Sequence, residues 1–302
     1  MDKAAITPQL VSRLVADQFP HWADLPVTTV ELDGWDNTTF RLGADLAVRL
    51  PSADAYVQQV DKEHRWLPVL APPLPLPIPQ PLAKGVPGSR FPRPWSVYRW
   101  LPGKHATLDR VGDLARFATD LADFLAALYA IDPAGGPAPG KHNFFRGGPL
   151  TTYDEETREA ISALDAEIDT EAATDTWEAA LAATWQAPPV WIHGDVVASN
   201  LLVVERRLSA VIDFGCSAVG DPACDLTIAW TLFFGDNRTL FRERLPLDEG
   251  TWVRGRGWAL WKALITLRKA LGTDEAETDP VSRRFGWRLT SRGVIDEVLA
   301  DR

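Results

Sequence analysis

Two aspartates and one asparagine carry the chemistry this sequence advertises. The stretch "HGDVVASN" runs from His193 to Asn200, with Asp195 five positions before the asparagine. The stretch "VIDFG" follows and places Asp213 eighteen positions after Asp195. Side-chain oxygens in this pattern suit Mg2+, a hard cation that takes one or two carboxylates and completes its shell with water and phosphate oxygens. A single loop Asp is usually a turn residue. Three such groups at these spacings are far less common than any one of them, and they ask for a shared purpose.

The elements that position them can be read from the apolar pattern. "LLVV" (201–204) and "LSAVI" (208–212) are short apolar segments joined by "ERR", the layout of a β-hairpin. A hairpin brings the end of its second strand beside the start of its first, about 5 Å away. Asn200 begins one strand and Asp213 ends the other, so Asp195, Asn200 and Asp213 are expected to converge on one edge.

Upstream, the first 22 residues read as helix. The segments 27–33, 38–43 and 46–50 alternate as three strands of an antiparallel meander, and 55–71 reads as a helix. "PPLPLPIPQPLAKGVPGSRFPRP" cannot form a helix or a central strand, because proline lacks an N–H and fixes φ, so a stiff extended connector is expected. "WSVYRWL" (95–101) reads as a strand that ends at a domain boundary. Beyond it, helices are expected at 113–131, 153–169, 172–185, 222–234, 237–245, 249–271 and 289–301. The fold class is therefore α+β, with a small β-rich N-terminal lobe over 1–101 and a larger, mostly helical lobe over 102–302.

Bulk properties narrow the function. The chain has 302 residues, 46% of them hydrophobic, with a formal net charge of −10. Such a balance argues against a nucleic-acid partner and favours cationic ligands, against a plainer role in solubility. No run of 18 apolar residues occurs, so no membrane span is expected. The N-terminus has neither the basic start nor the apolar run of a signal peptide. Cys216 and Cys224 offer no metal spacing and no disulfide framework, which makes a cytoplasmic location the expectation. "GGPAPGKH" (135–142) imitates a phosphate-binding loop, but it ends in His, follows a helix, and carries two prolines that remove amides. It is set aside.

The form HxD with Asn five residues on, followed by I-D-F-G, resembles the catalytic and metal-binding loops of protein-kinase-like enzymes. "HGDxxxxN", with Gly where protein kinases carry Arg, is similar to the aminoglycoside phosphotransferase family, as is "GDPACDLTIAW" (220–230). The resemblance implies a protein-kinase-like fold and transfer of the γ-phosphoryl of ATP or GTP to a hydroxyl of a small molecule, first of all an aminoglycoside-type antibiotic. It implies Asp195 as catalytic base, Asn200 and Asp213 as Mg2+ ligands, His193 as a buttress and Asp225 as structural support. It also implies Arg49 as the cation on the nucleotide phosphates, where most kinases use Lys, and Glu63 as its acidic partner. Main-chain groups from Tyr98 to Trp100 would meet the purine edge, and "DGWDNTTF" (33–40) would cover the nucleotide.

Other acceptors use the same loops: macrolides, choline-like alcohols and sugars. A nucleotide-binding pseudokinase is the reading outside enzymes, prompted by Arg49 and opposed by the intact Asp195, Asn200 and Asp213. A metallohydrolase lacks a completing His-rich segment, and a protein kinase lacks an A-P-E segment. For the acceptor, "YDEE" (153–156) with Trp230, Trp258 and Trp261 are candidates, against a plainer role as helix start and core. The sequence does not speak to oligomeric state.

Overall fold

The computed structural model describes residues 3–31, 34, 36–272 and 280–301, and these form two compact units. The first comprises residues up to 72, 77–102 and 213–215. It opens with helix α1 (Pro8–Gln18), which starts where Thr7 accepts the Leu10 N–H at 3.3 Å and Pro8 takes a first-turn position. Strands β1 (Val27–Thr29), β2 (Asn37–Leu42) and β3 (Leu46–Pro51) follow as the expected antiparallel meander. β1 is shorter than the alternation predicts, and Leu32 and Asp33 lie outside the described residues.

Helix α2 (Val57–Leu70) follows β3. Its most buried side chains include Gln59, Lys62 and Glu63, not only the apolar stripe. Polar groups are rarely buried without partners, so this helix face points to function.

The proline-rich segment is not wholly a connector. Its second half holds strand β4 (Pro81–Gly85), which pairs with β5 (Trp95–Arg99) on one side only. The sheet order is β1-β2-β3-β5-β4, so β4 is an edge, with its register broken between Pro81 and Ala83. Proline is tolerated there because one side of an edge strand makes no ladder bonds. The core of this unit packs α1 against the sheet through Val11, Leu14, Val15, Phe40, Val48, Trp95 and Val97.

The second unit comprises 73–76, 103–212 and 216 onward. It contains β6 (Lys104–His105), α3 (Leu114–Tyr129), α4 (Asp154–Ala163), α5 (Thr170–Ala182) and β7 (Val190–Ile192). Strands β8 (Leu201–Val204) and β9 (Arg207–Val211) form the expected hairpin, with β6 on its outer side. Glu205 and Arg206 both have positive φ, as the tightest two-residue hairpin turn requires. β10 (Ala218–Gly220) pairs with β7.

The segment read as helix 222–234 is mostly a 3-10 stretch, Pro222–Thr227, passing into the short α6 (Ile228–Thr231). Helices α7 (Gly235–Arg244), α8 (Glu249–Leu271), α9 (Pro280–Arg284) and α10 (Ser291–Ala300) complete the unit. Asp248 starts α8 by accepting the Thr251 N–H at 2.7 Å. α8 is buried along nearly its whole length and packs against α4, α5, α10 and the 222–227 turn. No helix among the described residues is long and apolar enough to cross a membrane.

Candidate functional site

In the first unit a single cation joins two carboxylates. Arg49 lies on β3, and its Nη1 donates to Glu63 Oε1 of α2 at 3.3 Å. Its Nη2 donates to Asp213 Oδ1 at 2.8 Å. The Tyr98 hydroxyl, on β5, donates to the other Glu63 oxygen, and the Arg49 guanidinium lies 5.7 Å from the Tyr98 ring. Burial works against the Arg49 charge, yet Glu63 and Asp213 outweigh it and hold the guanidinium charged beyond its ordinary range. Burial beside Glu63 pushes the Tyr98 hydroxyl well up, so it serves as a donor. Lys62, one position before Glu63, donates to the Gly215 carbonyl at 2.7 Å and so fixes the D-F-G turn on α2.

In the second unit the order is reversed: a carboxylate sits among cations. Asp195 follows β7 in the loop His193–Asn200. Its Oδ1 accepts from Lys262 Nζ of α8 at 2.6 Å, and its Oδ2 accepts from Asn200 Nδ2 at 3.3 Å. Burial pushes the Asp195 carboxyl up, but Lys262 and Arg146 more than offset it and hold it below the usual carboxylate range. Asp195 is therefore ionised at neutral pH and able to accept a proton.

The loop is built around three supports. Gly194 has φ +83°, and a Cβ there would meet the Cys216 carbonyl oxygen at 2.3 Å, so no other residue fits. The buried Asp225 carboxylate accepts the N–H of Gly194 at 2.6 Å and of His193 at 3.0 Å. Burial raises its pKa to about 6. His193 is fully buried; its Nδ1 accepts the Asp195 N–H at 3.2 Å, leaving Nε2 to donate to the Ile212 carbonyl at 3.0 Å. With both ring nitrogens committed, the imidazole braces the loop against the end of β9.

Asn200 ends the 3-10 turn just before β8, with its amide nitrogen turned to the Asp195 carbonyl at 3.0 Å, which leaves its Oδ1 for another partner. Its own carbonyl accepts the Ile212 N–H at 2.9 Å, and Asp213 is the next residue along the chain, with a left-handed φ of 67°. Asp213 keeps one carboxylate oxygen beyond its bond to Arg49. The Asn200 amide oxygen and the Asp213 carboxylate oxygen are each of the hard type that Mg2+ takes. Among the described residues no group of three His, Cys, Asp or Glu side chains forms an all-protein metal cage.

The N–H groups of Arg99 and Trp100 are already donated, to Gln80 and Asp45 carbonyls at 2.9 and 2.7 Å, so they are not open donors for a purine edge. In the turn read as the nucleotide cover, Asp33 and Trp35 lie outside the described residues. Asp36 is held there by Gln59 and Ser52. The candidate acceptor residues also divide. Trp230 packs on Trp252 and donates to Asp301, while Asp154 accepts from Trp177, which makes both architectural. Tyr153, Trp258 and Trp261 instead form one aromatic cluster under the Arg146 guanidinium.

Sequence reasoning missed Lys262 and Arg146. A signal existed for the first: a lone Lys in the apolar helical run "WALWKALI" must find a partner if it is buried. Nothing local marked Arg146.

A five-stranded antiparallel sheet with its strand cation paired to a helix acid, and a helical unit carrying the HGD loop and its hairpin, define the protein-kinase-like fold class. Within that class the profile of the phosphotransferase enzyme family matches residues 28–264, and the chain belongs to this family. Solved structures agree on the fold. The GDP complex of wild-type aminoglycoside 2'-phosphotransferase-IIIa is 18% identical with a TM-score of 0.73, over 98% of this chain and 99% of that one. The streptomycin-ATP-APH(2")-IIa ternary complex is 19% identical with a TM-score of 0.61, over 93% of this chain and 98% of that one. Macrolide 2'-phosphotransferase MphH from Brachybacterium faecium is 22% identical with a TM-score of 0.59, over 92% and 97%. No curated protein matches the chain significantly.

Proposed function

We propose that this chain is a small-molecule O-phosphotransferase that moves the γ-phosphoryl group of ATP or GTP to a hydroxyl. The observation that carries the reading is Asp195: an ionised carboxylate whose loop is held by Gly194, His193 and Asp225 and whose Oδ2 has only a long bond to Asn200. The acceptor hydroxyl oxygen attacks the γ-phosphorus, and its proton passes to Asp195. A new O–P bond forms as the bond to the β–γ bridging oxygen breaks, and the nucleoside diphosphate leaves with that electron pair. The protein mainly positions groups and offsets charge in such a transfer.

Arg49, kept charged and oriented by Glu63, is the residue for the nucleotide phosphates; a guanidinium binds phosphate with two prongs where Lys would offer one point charge. Asn200 and Asp213 would hold Mg2+, whose charge offsets that of the β- and γ-phosphates. With the Arg99 and Trp100 N–H groups already committed, the main-chain carbonyls of Tyr98 to Trp100 are the groups proposed to meet the base. The neighbours whose names carry GDP, ATP, kanamycin and streptomycin support a nucleotide donor, and those names are the support for an aminoglycoside acceptor. A macrolide neighbour leaves the acceptor class to be decided by the residues around Asp195.

Asp195→Asn tests the reading. Acceptor-dependent nucleotide consumption is expected to fall by about 10³-fold, within the range for a lost general base, while calorimetric nucleotide affinity stays within about threefold, since the base binds the acceptor rather than the nucleotide. Undiminished turnover removes Asp195 from the mechanism.

A further inference from the structure

The surroundings of Asp195 within its own unit are cationic, and this bears on the acceptor. Lys262 is 8% exposed and already bonded to Asp195 Oδ1, and its ammonium lies 4.6 Å from the Phe285 ring centroid. The preceding residue on α8, Trp261, carries the Arg146 guanidinium over its ring at 4.5 Å, with Trp258 at 5.4 Å. Arg146 and Asp195 therefore flank the same turn of α8. Tyr153 completes the wall, 4.2 Å from Trp261 and 5.5 Å from Trp258 between ring centroids.

Among the described residues Arg146 makes no ion pair, and the Asp195 carboxylate that it helps to keep ionised is bonded to Lys262 instead. The Arg146 Nε is buried and has no hydrogen-bond partner among the described residues, and the same holds for Trp258 Nε1. A buried donor without a partner costs stability unless something arrives to accept from it. The loop holding Arg146 is fixed from below: fully buried Asn143 donates to the Arg146 carbonyl at 2.9 Å and to the Cys216 carbonyl at 3.2 Å. Glu156 at the edge of the cluster is exposed and accepts from Trp261 Nε1 at 2.9 Å, pairing with the indole and not with Arg146. A half-buried guanidinium that is stacked on indoles and has an unpartnered N–H suits a carboxylate or phosphate. A polyammonium acceptor meets two cations there, and the two carboxylates, Asp195 and Glu156, already accept from Lys262 and Trp261.

We propose, resting on the phosphoryl-transfer reading above, that the acceptor is a small hydroxyl compound bearing a carboxylate or phosphate group, which Arg146 binds while Tyr153 and Trp261 pack its carbon skeleton. This sets the chain apart from a kinase of polycationic sugars. Arg146 is thereby the specificity residue, and Lys262 keeps Asp195 ionised beside an anionic substrate.

The test uses the full chain and two measurements. Titration with ATP and with GTP comes first; if neither binds, the phosphoryl-transfer reading itself fails. Acceptor-dependent nucleotide consumption is then compared for gluconate against glucitol, glucose 6-phosphate against glucose, and kanamycin. Expected is a kcat/KM at least about tenfold higher for an anionic member than for its uncharged partner, with the two pairs telling carboxylate from phosphate, and no turnover of kanamycin. Arg146→Gln is expected to shrink that ratio to about twofold, through KM rather than kcat, and Arg146→Lys to restore part of it. A purely structural Arg146 would lower charged and uncharged acceptors alike. Preference for kanamycin or for the uncharged partners, or nucleotide binding with no turnover in any arm, overturns the anionic acceptor; the first two outcomes leave the phosphotransferase reading standing. Should both variants fail to fold, the wild-type ratios decide alone.

Discussion

The two units hold charge in opposite ways. Around Arg49, one cation is shared by two carboxylates, Glu63 and Asp213; around Asp195, one carboxylate stands with two cations, Lys262 and Arg146. The first cluster has a negative excess and suits a divalent metal accompanying phosphates. The second has a positive excess and suits an anionic acceptor. Burial separates them as well: Glu63 is 5% exposed and has few alternatives to Arg49, whereas Asp195 is 26% exposed and keeps its bond to Asn200. The same kind of ion pair therefore has different worth in the two places, because an unpaired charge is costly in proportion to its burial.

Arg49→Met is the strongest way to break this contrast. Among the described residues it leaves Glu63 with the Tyr98 hydroxyl alone, so a loss of about 3 kcal/mol in stability is expected, and it removes the cation proposed for the phosphates. Nucleotide affinity should fall by at least about tenfold, which is the loss of a single charge-assisted contact. Thermal unfolding and nucleotide titration read the two effects separately. Arg49→Lys restores the charge but not the two-pronged span to Glu63 and Asp213, and is expected between the two.

Lys262→Met sharpens the comparison from the other side. Met matches the Lys stem and keeps its packing, while Asp195 loses its nearest cation. Because Asp195 is partly solvated and retains Asn200, the expected loss is about 1 kcal/mol, less than half that of Arg49→Met. Equal losses in the two variants, measured by chemical unfolding under one buffer, would show that burial does not set the difference.

What the sequence made legible follows the range of the interactions involved. The hairpin from Leu201 to Val211 is a local event, set by apolar alternation and a tight turn, so its place and its neighbours Asn200 and Asp213 could be anticipated. The Arg49–Glu63 pair spans fourteen residues between adjacent elements and was anticipated through the family resemblance. Lys262 reaches Asp195 across 67 residues, and that meeting is a product of tertiary packing that no window of sequence contains. Arg146 lies in a loop whose glycines and prolines read as spacer. Only the aromatic wall beneath it, drawn from two separate helical regions, gives it a role. The proline-rich stretch misled for a related reason: whether a strand lies at an edge is decided by the sheet, not by the strand.

The smallest effect tests the support beneath the Asp195 loop. Asp225 has its pKa raised from 3.8 to about 6 by burial, despite the N–H groups of His193 and Gly194 that favour its charge. A group whose folded pKa lies above its unfolded value contributes stability at low pH, and this contribution is lost as pH rises through the folded pKa. Between pH 5 and pH 7 the loss from Asp225 is expected to be about 1 kcal/mol. Asp225→Asn removes the titration but keeps one acceptor and places an amide N–H against backbone donors, so the variant should be less stable throughout and should lack this pH 5–7 slope. Urea unfolding of both proteins at half-unit steps isolates the term, because every other titrating group cancels in the difference. Identical slopes would mean that Asp225 is ionised in the fold across that whole interval, and that its two N–H donors outweigh the burial.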